Sequence, residues 1–241
     1  MTDIQIYSDH PALIRAATEH IITQANAAIN QHGRFTLALS GGSTPRPVYE
    51  QLAAETERID WTKVHLYWSD ERTVPPNNPD SNYHMAHEAL LRHIEHECGN
   101  IHRIRGEIDP AQAALEYEAK LRVNFPDDGF PGFDQVLIGM GDDGHTASLF
   151  PHTAALNETE RWVVANQVEK LQTWRITFTA PLINAAHQVT FLISGDKKAA
   201  PVYEVLQGAS NPQEYPSQLI HPVNGQLTYL LDTDAANLLK L

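Results

Sequence analysis

Cysteine is scarce and long apolar runs are absent in this sequence of 241 residues. The single Cys98 cannot form an intramolecular disulfide, which suits a reducing compartment. No apolar run approaches the roughly 18 residues that a membrane-spanning helix needs. The first twenty residues lack the apolar core of a secretory signal peptide. We therefore expect a soluble, cytoplasmic protein that has no membrane partner.

Basic residues are also few, since 17 Lys and Arg stand against 30 Asp and Glu, giving a formal net charge of −13. A surface this negative repels phosphate backbones, so we do not expect nucleic acid as a partner. An anionic small molecule can bind only where local donors overcome this field. The hydrophobic content of 42%, with 13 Gly and 15 Pro, excludes collagenous and low-complexity classes.

The arrangement of apolar segments predicts the fold. Short, continuous apolar runs are typical of strands covered on both faces, as in a parallel sheet; they lie at residues 35–39, 64–68, 135–139 and 189–194. Further strands are predicted at 175–180 and 227–231. Helices are predicted near residues 9–31, 45–54, 83–97, 110–124, 198–207 and 233–240. This alternation predicts one doubly wound, three-layer α/β/α domain over residues 1–241, with a mostly parallel, Rossmann-like sheet.

Ligands of such sheets bind beyond the carboxyl ends of the strands, where the first candidate loop lies. The run at 35–39 is followed by S-G-G-S-T-P at residues 40–45. Glycines allow close backbone approach, and the amide groups at a helix start bind anions. Gly41, Gly42, Ser43 and Thr44 are therefore candidate phosphate-binding residues. The alternative is a plain tight turn with a helix cap.

Cationic side chains follow two other predicted strands. Arg72 comes after Asp70 and Glu71, two carboxylates that can hold its guanidinium for a phosphate or an oxyanion. A surface charge cluster is the alternative there. Lys198 and Lys197 follow the run at 189–194 and can bind a phosphate as point charges, or form a solvated pair at a helix start.

The loop after the third run, G-M-G-D-D-G-H at residues 139–145, has the spacing of a dinucleotide fingerprint. Two carboxylates stand where a pyrophosphate would approach, and Pro151 limits any following helix. We interpret its glycines instead as making room for Asp143 and His145. A histidine normally titrates near pH 6.5, so a neutral imidazole is available at pH 7 as a general base.

Two pairs of histidines have helical spacing, His84 with His87 and His93 with His96; zinc ligands are conceivable there, and exposed helix residues are the alternative. No cysteine or carboxylate set completes a zinc site, so neither a metal nor another cofactor is expected.

Taken together, four segments resemble the 6-phosphogluconolactonase family, which is related in fold to the glucosamine-6-phosphate isomerases and deaminases; they are LALSGGSTP (37–45), WSDERTVPPNNPDSNY (68–83), LIGMGDDGHTASLFP (137–151) and SGDKKA (194–199). The resemblance implies hydrolysis of 6-phospho-D-glucono-1,5-lactone in the oxidative pentose phosphate pathway. It implies that His145 activates water and that Asp143 orients the histidine or the water. It further implies that the loop at 41–44, with Arg72 and Lys198, holds the phosphate and the lactone carbonyl region. The sequence leaves the oligomeric state open, with a monomer favoured.

Two alternatives remain. The deaminase branch carries a glutamate a few residues after its histidine, whereas residues 146–151 here contain none. A sugar-phosphate sensor domain of a transcription regulator would accompany a DNA-binding segment, which the charge of −13 opposes. A binding protein without catalysis stays open.

Overall fold

The computed structural model describes residues 2–94, 96, 98–126 and 129–240. Within these residues, seven strands form one parallel sheet in the order β1-β10-β9-β6-β2-β3-β5. The strands are β1 (Thr2–Tyr7), β2 (Phe35–Leu39), β3 (Val64–Trp68), β5 (Asn100–Ile101), β6 (Gln135–Ile138), β9 (Gln188–Ile193) and β10 (Gln226–Asp232). Every residue of β2, β6 and β9 is buried, as the continuous apolar runs predicted.

Helices flank this sheet, and most lie close to their predicted ranges. They are α1 (His10–His32), α2 (Arg46–Ala54), α3 (Asn82–Ala86), α4 (Arg92–Ile94), α5 (Pro110–Asn124), α6 (Ala180–Asn184) and α7 (Ala199–Leu206). The side chain of Asp9 caps the start of α1, and Gly33 ends it in the left-handed conformation, with φ of 85°.

A second, antiparallel sheet has the order β4-β8-β7, formed by β4 (Asp70–Arg72), β8 (Thr173–Phe178) and β7 (Val163–Val168). It joins the main sheet through Ser69, whose backbone N–H donates to Leu39 and whose carbonyl accepts from Phe178. Asp70–Arg72 was expected to be a loop, and β7 was not expected at all. The second sheet therefore lies beside the carboxyl ends of β2 and β3.

Two predicted helices differ from the structure. Residues 233–238 form turns instead, because Asp232 accepts from Ala235 and Ala236 and the following hydrogen bonds close single turns only. The helix predicted at 83–97 is interrupted by a π-helical turn, His87–Leu91, between α3 and α4. Its predicted end at Glu97 lies outside the described residues.

The predicted fold class, a three-layer α/β fold with a mostly parallel sheet, is confirmed. The assignment of residues 1–241 to one domain stays a prediction. In the part of the chain that the structure describes, no helix has the length and apolarity to cross a membrane.

Candidate active site

The loops that follow β2, β6 and β9 meet at one edge of the parallel sheet, and β4 joins them there. Two adjoining cavities open at this edge, with volumes of about 610 Å³ and 300 Å³. Both are lined by Arg72, His145 and Lys198, while Asp143 lines only the larger one and residues 41–44 line only the smaller one. The structure therefore brings all eight candidate residues to one place.

An aspartate–histidine pair forms the centre of the larger cavity. Nδ1 of His145 lies 2.5 Å from Oδ1 of Asp143, and the imidazole stacks on Phe150 with ring centroids 4.0 Å apart. A Cβ at Gly141 would lie 2.0 Å from Nδ1, so the ring packs on bare backbone there. The carboxylate favours the tautomer with a proton on Nδ1, which leaves the lone pair of Nε2 available. Within the described residues, Nε2 has no hydrogen-bond partner.

A lysine that the sequence analysis did not single out contacts the aspartate of this pair. Nζ of Lys170 lies 2.5 Å from Oδ2 of Asp143. Burial alone would raise the pKa of Asp143, but the hydrogen bonds from His145 and Lys170 outweigh it and hold that pKa below its usual range. Asp143 is therefore a carboxylate at neutral pH.

The loop after β2 is fixed by hydrogen bonds with a tyrosine and contains two glycines at positions where a larger residue would clash or be strained. The hydroxyl of Tyr49 donates to the Ser40 carbonyl and accepts from the Ser40 amide. A Cβ at Gly41 would collide with the Asn82 side chain, and Gly42 has a φ of 101°. No side chain among the described residues caps the first turn of α2, so backbone N–H groups there remain available to an anion.

Of the two possibilities that the sequence left open for Arg72, the structure does not support the one in which Asp70 and Glu71 hold its guanidinium. The Arg72 guanidinium donates to the carbonyl of Asp80 at 2.5 Å. Asp70 instead accepts from Ser148 at 2.6 Å. Asp70 and Glu71 also accept hydrogen bonds from residues at the start of α3. Burial raises the pKa of Glu71, although four donors partly offset this effect. The two carboxylates therefore fix β4 to its neighbours, and Arg72 takes its orientation from the following loop.

Lys198 ends a short turn, Asp196–Lys198, and its ammonium lies 2.5 Å from Asp142. Asp196 accepts from the backbone of Lys197. Arg46, which directly follows the first candidate loop, pairs with Glu50 and lines neither cavity.

Arg175 is a second cation that the sequence analysis missed. It lies on β8, lines the larger cavity and faces Arg72 closely enough that this neighbour, after burial, lowers its pKa. It stands within an apolar strand pattern and outside the loops, so no motif marked it. Four cations, Arg72, Lys170, Arg175 and Lys198, thus line one cavity of a strongly acidic chain.

Neither histidine pair gathers a ligand set in the structure. Across the described residues, no group of three or more His, Cys, Asp and Glu side chains is arranged to hold a metal ion. His87 instead contacts Glu88. The expectation that no metal or cofactor is needed stays a prediction.

A parallel α/β sheet with an aspartate–histidine pair and clustered cations at its carboxyl edge is the arrangement expected of an enzyme that acts on an anionic small molecule. The chain belongs to the family described as glucosamine-6-phosphate isomerases/6-phosphogluconolactonase, whose model matches residues 8–229. It is 43% identical to a 6-phosphogluconolactonase from a Nostoc species, over 96% of both chains.

Solved structures agree with this assignment. A 6-phosphogluconolactonase from Trypanosoma cruzi has a TM-score of 0.88 and 27% identity, covering 100% of this chain and 98% of its own. A monomeric glucosamine-6-phosphate deaminase has a TM-score of 0.82 at 20% identity, covering 98% of this chain and 100% of its own. At that identity the likeness concerns the fold alone.

Proposed function

We propose that the chain hydrolyses 6-phospho-D-glucono-1,5-lactone to 6-phosphogluconate, with His145 as the general base. The observation that carries this proposal is the contact of 2.5 Å between Asp143 and Nδ1 of His145 at a cavity lined by four cations. The names of the relatives in the family support the choice of substrate.

The chemistry requires one base and positive charge. The oxygen of a water molecule attacks C1 of the lactone while Nε2 of His145 takes one of its protons. The carbonyl oxygen becomes an oxyanion, which nearby N–H donors stabilise by about 2.7–4 kcal/mol for each donor. The bond from C1 to the ring oxygen then breaks, and the imidazolium returns its proton to that oxygen. The products are the free carboxylic acid, which ionises, and the ring-opened hydroxyl.

The phosphate of the substrate needs donors remote from C1. The loop at residues 41–44 supplies backbone N–H groups beside Lys198 and Arg72, which line both cavities. Binding there places the lactone ring toward His145 in the larger cavity. Binding energy from the phosphate then orients the reacting carbon.

One comparison tests the proposal against the deaminase alternative. The purified chain should hydrolyse 6-phosphogluconolactone faster than the spontaneous reaction, and it should release no ammonia from glucosamine 6-phosphate. Ammonia release without lactone hydrolysis would overturn the proposal, and binding without turnover of either substrate would favour a binding protein. The cytoplasmic location and the monomeric state stay predictions.

A further inference from the structure

Lys170 occupies a turn that reaches the catalytic pair from the second sheet. The turn Glu169–Leu171 connects β7 to β8 and closes where Gln172 adopts the left-handed conformation. The lysine side chain is 64% exposed, but its ammonium contacts Asp143, whose side chain is only 24% exposed. A mostly exposed lysine therefore ends at a carboxylate that is largely buried.

The two oxygens of Asp143 have different partners. Oδ1 faces Nδ1 and the backbone amide of His145, whereas Oδ2 faces Lys170. Contacts at Oδ1 already restrain rotation about the Cβ–Cγ bond of Asp143. The contact at Oδ2 adds a second fixed point, which makes it harder for the carboxylate to turn Oδ1 away from the imidazole.

The same contact changes the charge that His145 experiences. An unshared carboxylate stabilises a neighbouring imidazolium, and a cation on its second oxygen offsets part of that effect. Other charged groups in the cavity are Asp70 and Arg72 from β4, Asp142 from the loop after β6, Arg175 from β8, and Lys198 after β9. Among the described residues, Lys170 is the cation that contacts Asp143 directly.

We propose that Lys170 is a positioning residue, which orients Asp143 toward His145 and offsets part of the negative charge that Asp143 presents to the imidazole. The kinetic part of this proposal rests on the proposed lactonase function, whereas the effect on the imidazole does not. Lys170 acts through Asp143, so its substitution should weaken catalysis whether or not the substrate carries a phosphate.

The test compares Lys170→Met, Lys170→Arg and Lys197→Met with the unmodified chain. Lys197→Met is the matched control. It also removes a lysine near this edge of the sheet, but the side chain of Lys197 lines neither cavity. An NMR titration follows the Cε1–H resonance of His145, identified among 13 histidines by its loss in His145→Gln. It reports on the imidazole even if the chain hydrolyses no lactone.

In Lys170→Met the midpoint of the His145 titration should move to higher pH by about one unit, the low end of the effect of a nearby charge. The acid limb of the kcat/KM profile should move with it. At pH 7, kcat should fall by up to about tenfold with both 6-phosphogluconolactone and unphosphorylated gluconolactone, because one unit of midpoint lowers the neutral fraction of the imidazole by at most tenfold. Lys170→Arg keeps the cation and should show little of either change, and Lys197→Met should show neither.

An unchanged His145 titration in a folded Lys170→Met variant would overturn the proposal. A rise in KM restricted to the phosphorylated lactone would also overturn it, because Lys170 would then bind phosphate directly. If no variant hydrolyses the lactone but the titration midpoint still moves, the proposed function fails while the influence of Lys170 on His145 stands.

Discussion

Oδ1 of Asp143 lies 2.5 Å from Nδ1 of His145, two residues further along the same loop. The loop achieves this contact through backbone hydrogen bonds, from the amide of Gly141 to the carbonyl of His145 and from the amide of Gly144 to the carbonyl of Gly141. Gly144 has a φ of 74°, a conformation that glycine adopts without strain. The local backbone therefore brings the two side chains together, while Lys170 from the second sheet holds the other oxygen of Asp143.

We expect Gly141→Ala to lower kcat by about 10²-fold, because a misplacement near 1 Å costs this much in a preorganised site. The added Cβ would lie 2.0 Å from Nδ1 of His145 and 2.8 Å from Oδ1 of Asp143. Gly139→Ala is the matched control, since its Cβ would meet nothing nearer than 3.9 Å. Lactone hydrolysis and thermal unfolding of both variants check this. Equal activity in the two variants would show that the position of the pair does not matter.

His145→Ala should lower the turnover of 6-phosphogluconolactone by 10²-fold or more, the lower bound for losing a general base. The fold should survive, because the imidazole side chain is 26% exposed and stacks on Phe150 at the wall of the cavity. His93→Ala removes an exposed histidine from α4, outside both cavities, and should keep full activity. Normal turnover by a folded His145→Ala variant would remove His145 from the reaction.

Much of the fold could be predicted because burial on both faces leaves a simple mark in the sequence. The runs at β2 and β3 are almost wholly apolar and coincide with their strands. Strand β1 was not predicted. It lies at the sheet edge beside β10, and its residues are exposed or partly exposed, so it lacks a continuous apolar run. Strand β7 contains Asn166, whose amide bonds Ser148 and Thr153, contacts that no local pattern encodes.

The residues of the candidate site also fall into those that the sequence could indicate and those that it could not. Parallel strands place their following loops together, so the sequence could indicate Arg72, His145 and Lys198. Lys170 and Arg175 come from the antiparallel sheet. Its position beside the cavity depends on pairing between β4 and β8, which are far apart in the chain. Local sequence carries no signal for such a pairing.

Lys198→Ala and Arg72→Ala should raise KM for 6-phosphogluconolactone at least tenfold while changing KM for unphosphorylated gluconolactone little, because a charge-assisted contact contributes roughly 1.5–3 kcal/mol. Lys197→Ala, which changes the neighbouring exposed lysine, should leave both values as they are. Steady-state kinetics with the two lactones measure this difference. If a variant raises KM equally for both substrates, that residue does not anchor the phosphate.

His102 should make the stability of the chain depend on pH between about 6.5 and 4. Burial lowers the pKa of its imidazole from 6.5 to about 4, with Lys120 and His65 contributing. Between these values the unfolded chain binds more protons than the folded chain. The stabilisation is therefore complete above pH 6.5 and is lost as the pH falls toward 4.

The variant His102→Phe tests this, because an aromatic ring can keep the stack on Tyr67, where the centroids are 4.4 Å apart, without titrating. Between pH 7 and pH 5 the unmodified chain should lose about 1 kcal/mol more unfolding free energy than the variant, a value reduced for the partial exposure of the ring. Denaturant unfolding at both pH values measures the difference. The same loss in both proteins would mean that protonation of His102 costs the fold nothing. Lactone hydrolysis at pH 7 should be equal in the two proteins, since His102 lines neither cavity of the candidate site.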